Sequence, residues 1–207
     1  MIRVAILADT HGQLDERVED LVADCDLAVH GGDIGNASVL ARLRPRSGRV
    51  LAVTGNNDLP RKWPDEDRHL LSELPEQQEL ALPGGTLVVI HGHQMPARDR
   101  HERLRCRFPG ARAVVYGHSH RLVADRARMP WVLNPGAAGR ARTFGGPSCM
   151  ILTVSDGGWR LRVVRFEPVS RRRNRPETRA RGASPGVSAG RDDGTGPLAS
   201  FIDNYMK

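Results

Sequence analysis

The chain has 207 residues, enough for one domain with a sizeable core and too few for several. Hydrophobic residues make up 39% but aromatics only 4%, so a core must come from Val, Leu, Ile and Ala, which suits strands buried on both faces. The net charge of +7 points toward nucleic acid, yet residues 170–207 alone hold eight basic and four acidic residues, so the rest is only modestly basic and that class is disfavoured.

An apolar run over 2–8 predicts a first strand, which passes at once into Asp9-Thr10-His11. Leu14, Val18, Leu21 and Val22 then fall at helical spacing in a charged stretch, predicting an amphipathic helix laid on the sheet. A second apolar run, 27–30, leads into Gly31-Gly32-Asp33. Asn36 is a good N-cap for a short helix carrying Val39, Leu40 and Leu43, closed by Pro45 and Gly48. The third strand, 50–54, runs into Gly55-Asn56-Asn57-Asp58. Residues 58–83 are charged and Pro-rich, predicting loop with one short helix, and Pro83-Gly84-Gly85 turns into a fourth strand. That strand, 87–90, ends at His91-Gly92-His93.

Residues 97–108 predict a helix with a basic face, stopped by Pro109-Gly110. The fifth apolar run, 113–116, leads into Gly117-His118-Ser119-His120. Strands follow at 122–125 and 131–133, and a hairpin joins 150–154 to 159–166 across Ser155-Asp156-Gly157-Gly158. Beyond Pro168 the composition turns to Arg, Gly, Ser and Pro with almost no large apolar residue. Such a segment cannot bury enough surface to offset its ordering entropy, so 169–207 is expected to be a disordered basic tail.

No stretch approaches the roughly 20 apolar residues of a membrane helix, and no basic region followed by an apolar one opens the chain. A cytoplasmic protein is expected. Cys25, Cys106 and Cys149 lie far apart without a C-x-x-C spacing and read as small buried side chains or incidental surface thiols.

Five apolar runs in series, each ending in Asp, Asn or His, describe a sheet whose strand ends converge on one polar site. Asp, Asn and His converging there can hold metal ions that make a nucleophile of water at neutral pH, so a metal-dependent hydrolase is expected. Carboxylate, amide and imidazole donors without thiolate suit manganese first, then iron, zinc, nickel or cobalt.

In this order Asp9-x-His11, Gly32-Asp33, Gly55-Asn56-x-Asp58, His91-Gly92-His93 and Gly117-His118-x-His120 resemble the calcineurin-like metallophosphoesterases, above all their small bacterial and archaeal phosphodiesterase branch. The resemblance spans 1–168 and includes Asn134-Pro135-Gly136, similar to the family's Asn-Pro-Gly-Ser loop. It implies a four-layer α/β/β/α sandwich of two mixed sheets covered by helices, which matches the strands predicted in both halves of the chain. It also implies a metallophosphoesterase domain over 1–168 that hydrolyses phosphodiesters or phosphomonoesters with a hydroxide activated by two metals. Asp9, His11 and His120 would hold one divalent ion, Asn56, His91 and His118 the other, and Asp33 would bridge them. A small phosphoester is the expected substrate, and relatives often pair as homodimers.

Two positions depart from the pattern. Asn57 stands where much of the superfamily has a His thought to protonate the leaving group, although the branch resembled here often carries Cys there. An amide cannot act as a general acid at neutral pH, so Asp58, His93 or water would have to substitute. Ala137 replaces the Ser of the Asn-Pro-Gly-Ser loop, with a small loss of loop hydrogen bonding expected. His30 reads as a core residue, His69 and His101 as solvated, and Arg140 and Arg142 as ordinary surface residues, with contact to a substrate phosphate as the alternative for either. A protein-binding scaffold, the use to which the retromer subunit puts this fold, is the alternative from another class. A small nuclease ranks third, since 168 residues leave no room for the extra domains that such enzymes bring.

Overall fold

The computed structural model describes residues 1–168; the tail expected to be disordered lies outside them. The elements run β1 (Ile2–Leu7), α1 (Glu16–Ala23), β2 (Leu27–His30), α2 (Ala37–Arg42), β3 (Val50–Ala52), a 3-10 turn (Asp65–Asp67), α3 (Arg68–Glu73), β4 (Gln77–Leu82), β5 (Gly85–Ile90), α4 (Arg100–Arg107), β6 (Ala113–Val115), β7 (Leu122–Asp125), β8 (Trp131–Pro135), β9 (Ser148–Ser155) and β10 (Gly158–Arg165). No helix among the described residues is long and apolar enough to cross a membrane.

Alternation along the strands sets the layers. In β1, Val4 and Ile6 point into an apolar cluster shared with Leu87, Val89, Val115 and Leu133, while Ala5 and Leu7 point the other way, onto Val18, Val22 and Leu40 of α1 and α2. On the far side, Leu104 of α4 packs with Val88, Val114 and Val132. The order is therefore helix, sheet, sheet, helix, and the central parallel strands of each sheet are buried on both faces. One sheet has the strand order β10-β9-β1-β2-β3, the other β4-β5-β6-β8-β7. β1, β2 and β3 are mutually parallel, as are β5, β6 and β8, and β9, β10, β4 and β7 pair antiparallel at the flanks.

Three expectations are corrected. The segment 58–83 contains the predicted short helix but also β4, an edge strand. Only Leu80 and Leu82 of it are buried, and Gln77, Gln78 and Glu79 blur the alternation; β4 exists because its backbone pairs with β5 across the Pro83-Gly84 turn. The helix expected over 97–108 begins at Arg100, because Asp99 at its N-cap is left-handed at φ 58°. His101 is not a solvated residue: its ring nitrogens lie 3.1 Å from Asp125 and 3.0 Å from the Tyr116 hydroxyl.

Asp125 also pairs with Arg105 at 2.8 Å, and the buried Arg105 donates to the Pro130 carbonyl, so the group ties α4 to the sheet edge. The Arg105 hydrogen bond, outweighing partial burial, holds the Asp125 carboxyl below its usual range. A depressed carboxyl stabilises the fold fully above its unfolded pKa of about 3.9, and that stability is lost as pH falls through the folded value. Asp125→Asn is therefore expected to cost about 1–2 kcal/mol at pH 7 in denaturant melts. The difference from wild type should shrink on acidification below about pH 4; a cost that does not change with pH would show that the pair adds nothing electrostatic.

Candidate metal centre

Because both parallel sets run in the same sense, the C-terminal ends of six strands meet at one edge of the sandwich. One sheet delivers Asp9 after β1, Asp33 after β2 and Asn56 after β3. The other delivers His91 after β5, His118 and His120 after β6, and Asn134 within β8. Strained backbone concentrates here. Of the seven non-glycine residues with left-handed φ among those described, five are Asp9, His11, Asp33, His118 and His120. Residues held in that region cost energy and persist where a site needs them.

All seven sequence-predicted ligands come together. Asp9, His11, Asp33 and His120 each offer an atom within 4.8 Å of the others'. His11 Nε2 and His120 Nε2 are 3.1 Å apart, and His120 Nε2 is 3.5 Å from Asp9 Oδ1. In a second group, Asn56 Oδ1 lies 3.2 Å from His91 Nε2 and 2.9 Å from His118 Nδ1. Asp33 stands between the groups, with Oδ1 3.4 Å from His91 Nε2 and Oδ2 3.7 Å from His11 Nε2.

The surroundings decide which lone pairs face inward. His91 Nδ1 lies 2.8 Å from the Gly31 carbonyl and His120 Nδ1 3.2 Å from the Arg142 carbonyl. A carbonyl only accepts, so in each ring Nδ1 carries the proton and Nε2 is turned to the centre. Gly55 cannot carry a side chain, since a Cβ would lie 2.2 Å from Asp33 Oδ1.

Electrostatics point to missing positive charge. Burial, partly offset by His91, pushes Asp9 up to about 7, and its Oδ2 is buried with no hydrogen-bond partner among the described residues. Burial likewise depresses His11, His118 and His120, keeping them neutral and ready to ligate. His91 is raised, because hydrogen bonding and charge from Asp33 outweigh its burial. Its Nε2 faces Asp33 and Asn56 oxygens, a group of donors that a metal cation would draw together. An orphaned carboxylate oxygen, neutral imidazoles and a wholly N/O donor set fit divalent transition metals. The free cysteines take no part: Cys25 and Cys149 are buried in the helix-side core and Cys106 is exposed.

The remaining candidates separate. The Asn57 backbone N–H and side-chain amide each donate to Asp33 at 2.8 Å, to Oδ1 and Oδ2 respectively, and Lys62 pairs with the Asn57 carbonyl oxygen. Although burial alone would raise it, hydrogen bonding from His91 and then Asn57 holds the Asp33 carboxyl well below the usual range. Asp58 accepts from the N–H groups of Ile34, Gly35 and Gly55 and from Trp63 Nε1, at 2.8–3.1 Å, so it braces the loops instead of facing the centre. His93 borders a cavity of about 430 Å³ beside Asn56, with a buried Nδ1 that has no partner among the described residues.

His30 is a core residue, as expected, and it also fastens two ligand loops through Thr10 Oγ1 at 3.0 Å and the Gly32 N–H at 3.2 Å. Asn134 holds the His118 loop by donating to the Gly117 carbonyl and Ser119 Oγ. Beside Ala137, the Ser148 hydroxyl donates to the Pro135 carbonyl and its N–H to the Ala137 carbonyl, so Ser148 hydrogen-bonds this loop. Arg140 pairs with Glu16 at the surface, whereas Arg142 reaches back to His11 Nε2 at 2.8 Å. Nothing near Arg142 in the chain signals that turn.

An α/β/β/α sandwich with a carboxylate–imidazole centre at its strand ends defines a candidate metal-site protein. The family model for the calcineurin-like phosphoesterase superfamily domain matches residues 2–157, and the chain belongs to that superfamily. A probable metallophosphoesterase of Methanothermobacter thermautotrophicus is 26% identical over 178 residues, covering 83% of this chain and 97% of that protein. The probable metallophosphoesterase YsnB of Bacillus subtilis is 28% identical over 163 residues, covering 75% and 86% respectively. Among solved structures, a novel archaeal phosphodiesterase shares the fold with a TM-score of 0.59 at 21% identity, covering 79% of this chain and all of that one. Vacuolar protein sorting 29 of Cryptosporidium parvum shares it with a TM-score of 0.59 at 18% identity, covering 80% and 98%.

Proposed function

We propose that residues 1–168 form a phosphodiesterase or phosphatase that works with two divalent metal ions. Asp9, His11 and His120 would hold one ion, Asn56, His91 and His118 the other, and Asp33 both. The observation that supports this best is Asp33, whose two oxygens face two separate donor groups. When bound, the ions supply the positive charge that acidifies a water and offsets charge building on the phosphoryl oxygens. Asn57 keeps both Asp33 oxygens oriented, and Asp58, saturated by four N–H donors, keeps the loops of Asp33 and Asn56 in register. His93 borders the cavity beside Asn56 where an ester group would lie, outside the ligand set, and burial holds its imidazole below the usual range, which makes it a poor proton donor there.

A screen of metals against phosphoesters tests this. The full chain is expected to bind two equivalents of a divalent transition metal and to hydrolyse activated aryl diesters, manganese being the first candidate. Deleting 171–207 should leave turnover and melting temperature unchanged, because that segment offers no ligand or acid–base cluster; a large loss of either would give the tail a part in the domain. The fold likeness to vacuolar protein sorting 29 supports a second reading, a protein-binding scaffold. Purified protein that takes up no metal and hydrolyses nothing would favour it.

A further inference from the structure

At one side of the centre, His118, Ser119, His120, Arg142 and Phe144 line a cavity of about 350 Å³. Arg142 sits in left-handed backbone at φ 56°, with its carbonyl on His120 Nδ1 and its guanidinium on His11 Nε2. Next in the chain to His120, Arg121 lays its guanidinium over the Phe144 ring, 4.8 Å from the centroid. Among the described residues no carboxylate lies within ion-pair distance of Arg121 or Arg142, although Arg17, Arg42, Arg105 and Arg140 all have one. Phe144 is 54% exposed and is the one aromatic among the large apolar side chains exposed on the described residues.

These features call for one kind of ligand. The one side-chain partner of Arg142 is the His11 ring nitrogen that a metal ion would take, so its guanidinium keeps its donors for an anion, and its planar fork matches a phosphate. An exposed ring braced on one side by a cation offers a face to a flat aromatic group, as single aromatic platforms do for nucleobases. An aliphatic or sugar phosphate would use the arginine and leave the ring bare. A nucleic-acid strand would need successive platforms along a groove, and here there is one ring beside a cavity of single-nucleoside size. The cavity on the other side of the centre lacks this character, since its Arg68 is already paired with Asp65 at 2.6 Å.

We propose that Arg142, Arg121 and Phe144 form a nucleotide subsite, in which Arg142 contacts the phosphate and Phe144 with Arg121 stacks the base. This rests on the hydrolase reading above and narrows its substrate class to nucleotide esters.

Calorimetry on the manganese-loaded full chain tests it with thymidine monophosphate, ribose phosphate and inorganic phosphate. The nucleotide should bind about tenfold more tightly than the sugar phosphate, the increment expected of one stacked base. Phe144→Ala should erase that preference, Phe144→Trp should keep it, and Arg142→Gln should weaken nucleotide and sugar phosphate alike. The ring is exposed, so these changes leave the core untouched. Equal affinity for nucleotide and sugar phosphate, no nucleotide binding, or a preference that survives Phe144→Ala would each overturn the subsite.

A second measurement separates the two readings by comparing hydrolysis of the nitrophenyl ester of thymidine monophosphate with that of methyl nitrophenyl phosphate, which share a leaving group. Nucleotide binding in the expected pattern with neither ester cleaved would keep the subsite and sink the hydrolase. Cleavage of both esters with no nucleoside preference in binding would sink the subsite alone.

Discussion

Asp33→Asn is expected to abolish phosphoester hydrolysis and to cut bound metal from two equivalents to one or fewer, while the protein stays folded. One Asp33 oxygen faces His91 and the other His11, so a single carboxylate serves both donor groups. Asparagine would turn an N–H donor toward one group and, if its NH2 took the Oδ2 position, would set its other N–H against the clamping Asn57 amide N–H. The loss should exceed the roughly 10–100-fold that follows removal of a residue that merely supports a ligand. Metal stoichiometry and turnover measured on the same preparation decide the matter. Near-normal activity with two metals bound would sink the bridging role.

Turnover is expected to fall steeply as the leaving group becomes more basic. Neither residue beside the Asn56 ligand can donate a proton there. Asn57 is an amide committed to Asp33, and the Asp58 carboxylate accepts four N–H bonds. A positioned general acid is worth about 10²- to 10⁴-fold, and its absence should penalise alkyl esters far more than nitrophenyl esters. The check is turnover across esters of graded leaving-group pKa, with chemistry rate-limiting. A flat dependence would assign the proton to His93, and His93→Gln should then restore the slope.

The same position carries a second expectation. From sequence alone Asn57→His looks like a gain, supplying the acid that relatives carry. In the folded protein it removes the amide that orients Asp33 Oδ2, so metal affinity should drop about 10–100-fold before any benefit appears. Unchanged metal binding in this variant would show that the clamp does not tune the centre.

Much of this centre was legible because its signals are local. Asp9, Asp33, Asn56, His91 and His118 each follow directly on an apolar run, and a strand that alternates faces must end where the next residues leave the sheet. The hairpin of β9 and β10 announced itself in the same way, by a turn sequence between two apolar runs. β4 did not, because its polar first half takes its conformation from the partner strand and not from its own pattern.

The remainder depends on partners distant in the chain. His91 directs Nε2 inward because Nδ1 meets a carbonyl 60 residues away, and Arg142 turns onto a ring 131 residues away. Asn57 and Asp58 are neighbours in sequence, yet one clamps Asp33 and the other binds loop amides. The sequence by itself determined the strands other than β4, their succession along the chain and which side chains could ligate, since alternation and donor chemistry belong to each segment. Only the tertiary structure decided which lone pair faces the centre, which carboxylate is already satisfied and which arginine lacks a counter-charge, because a hydrogen bond or an ion pair is set by where its partner lies in space.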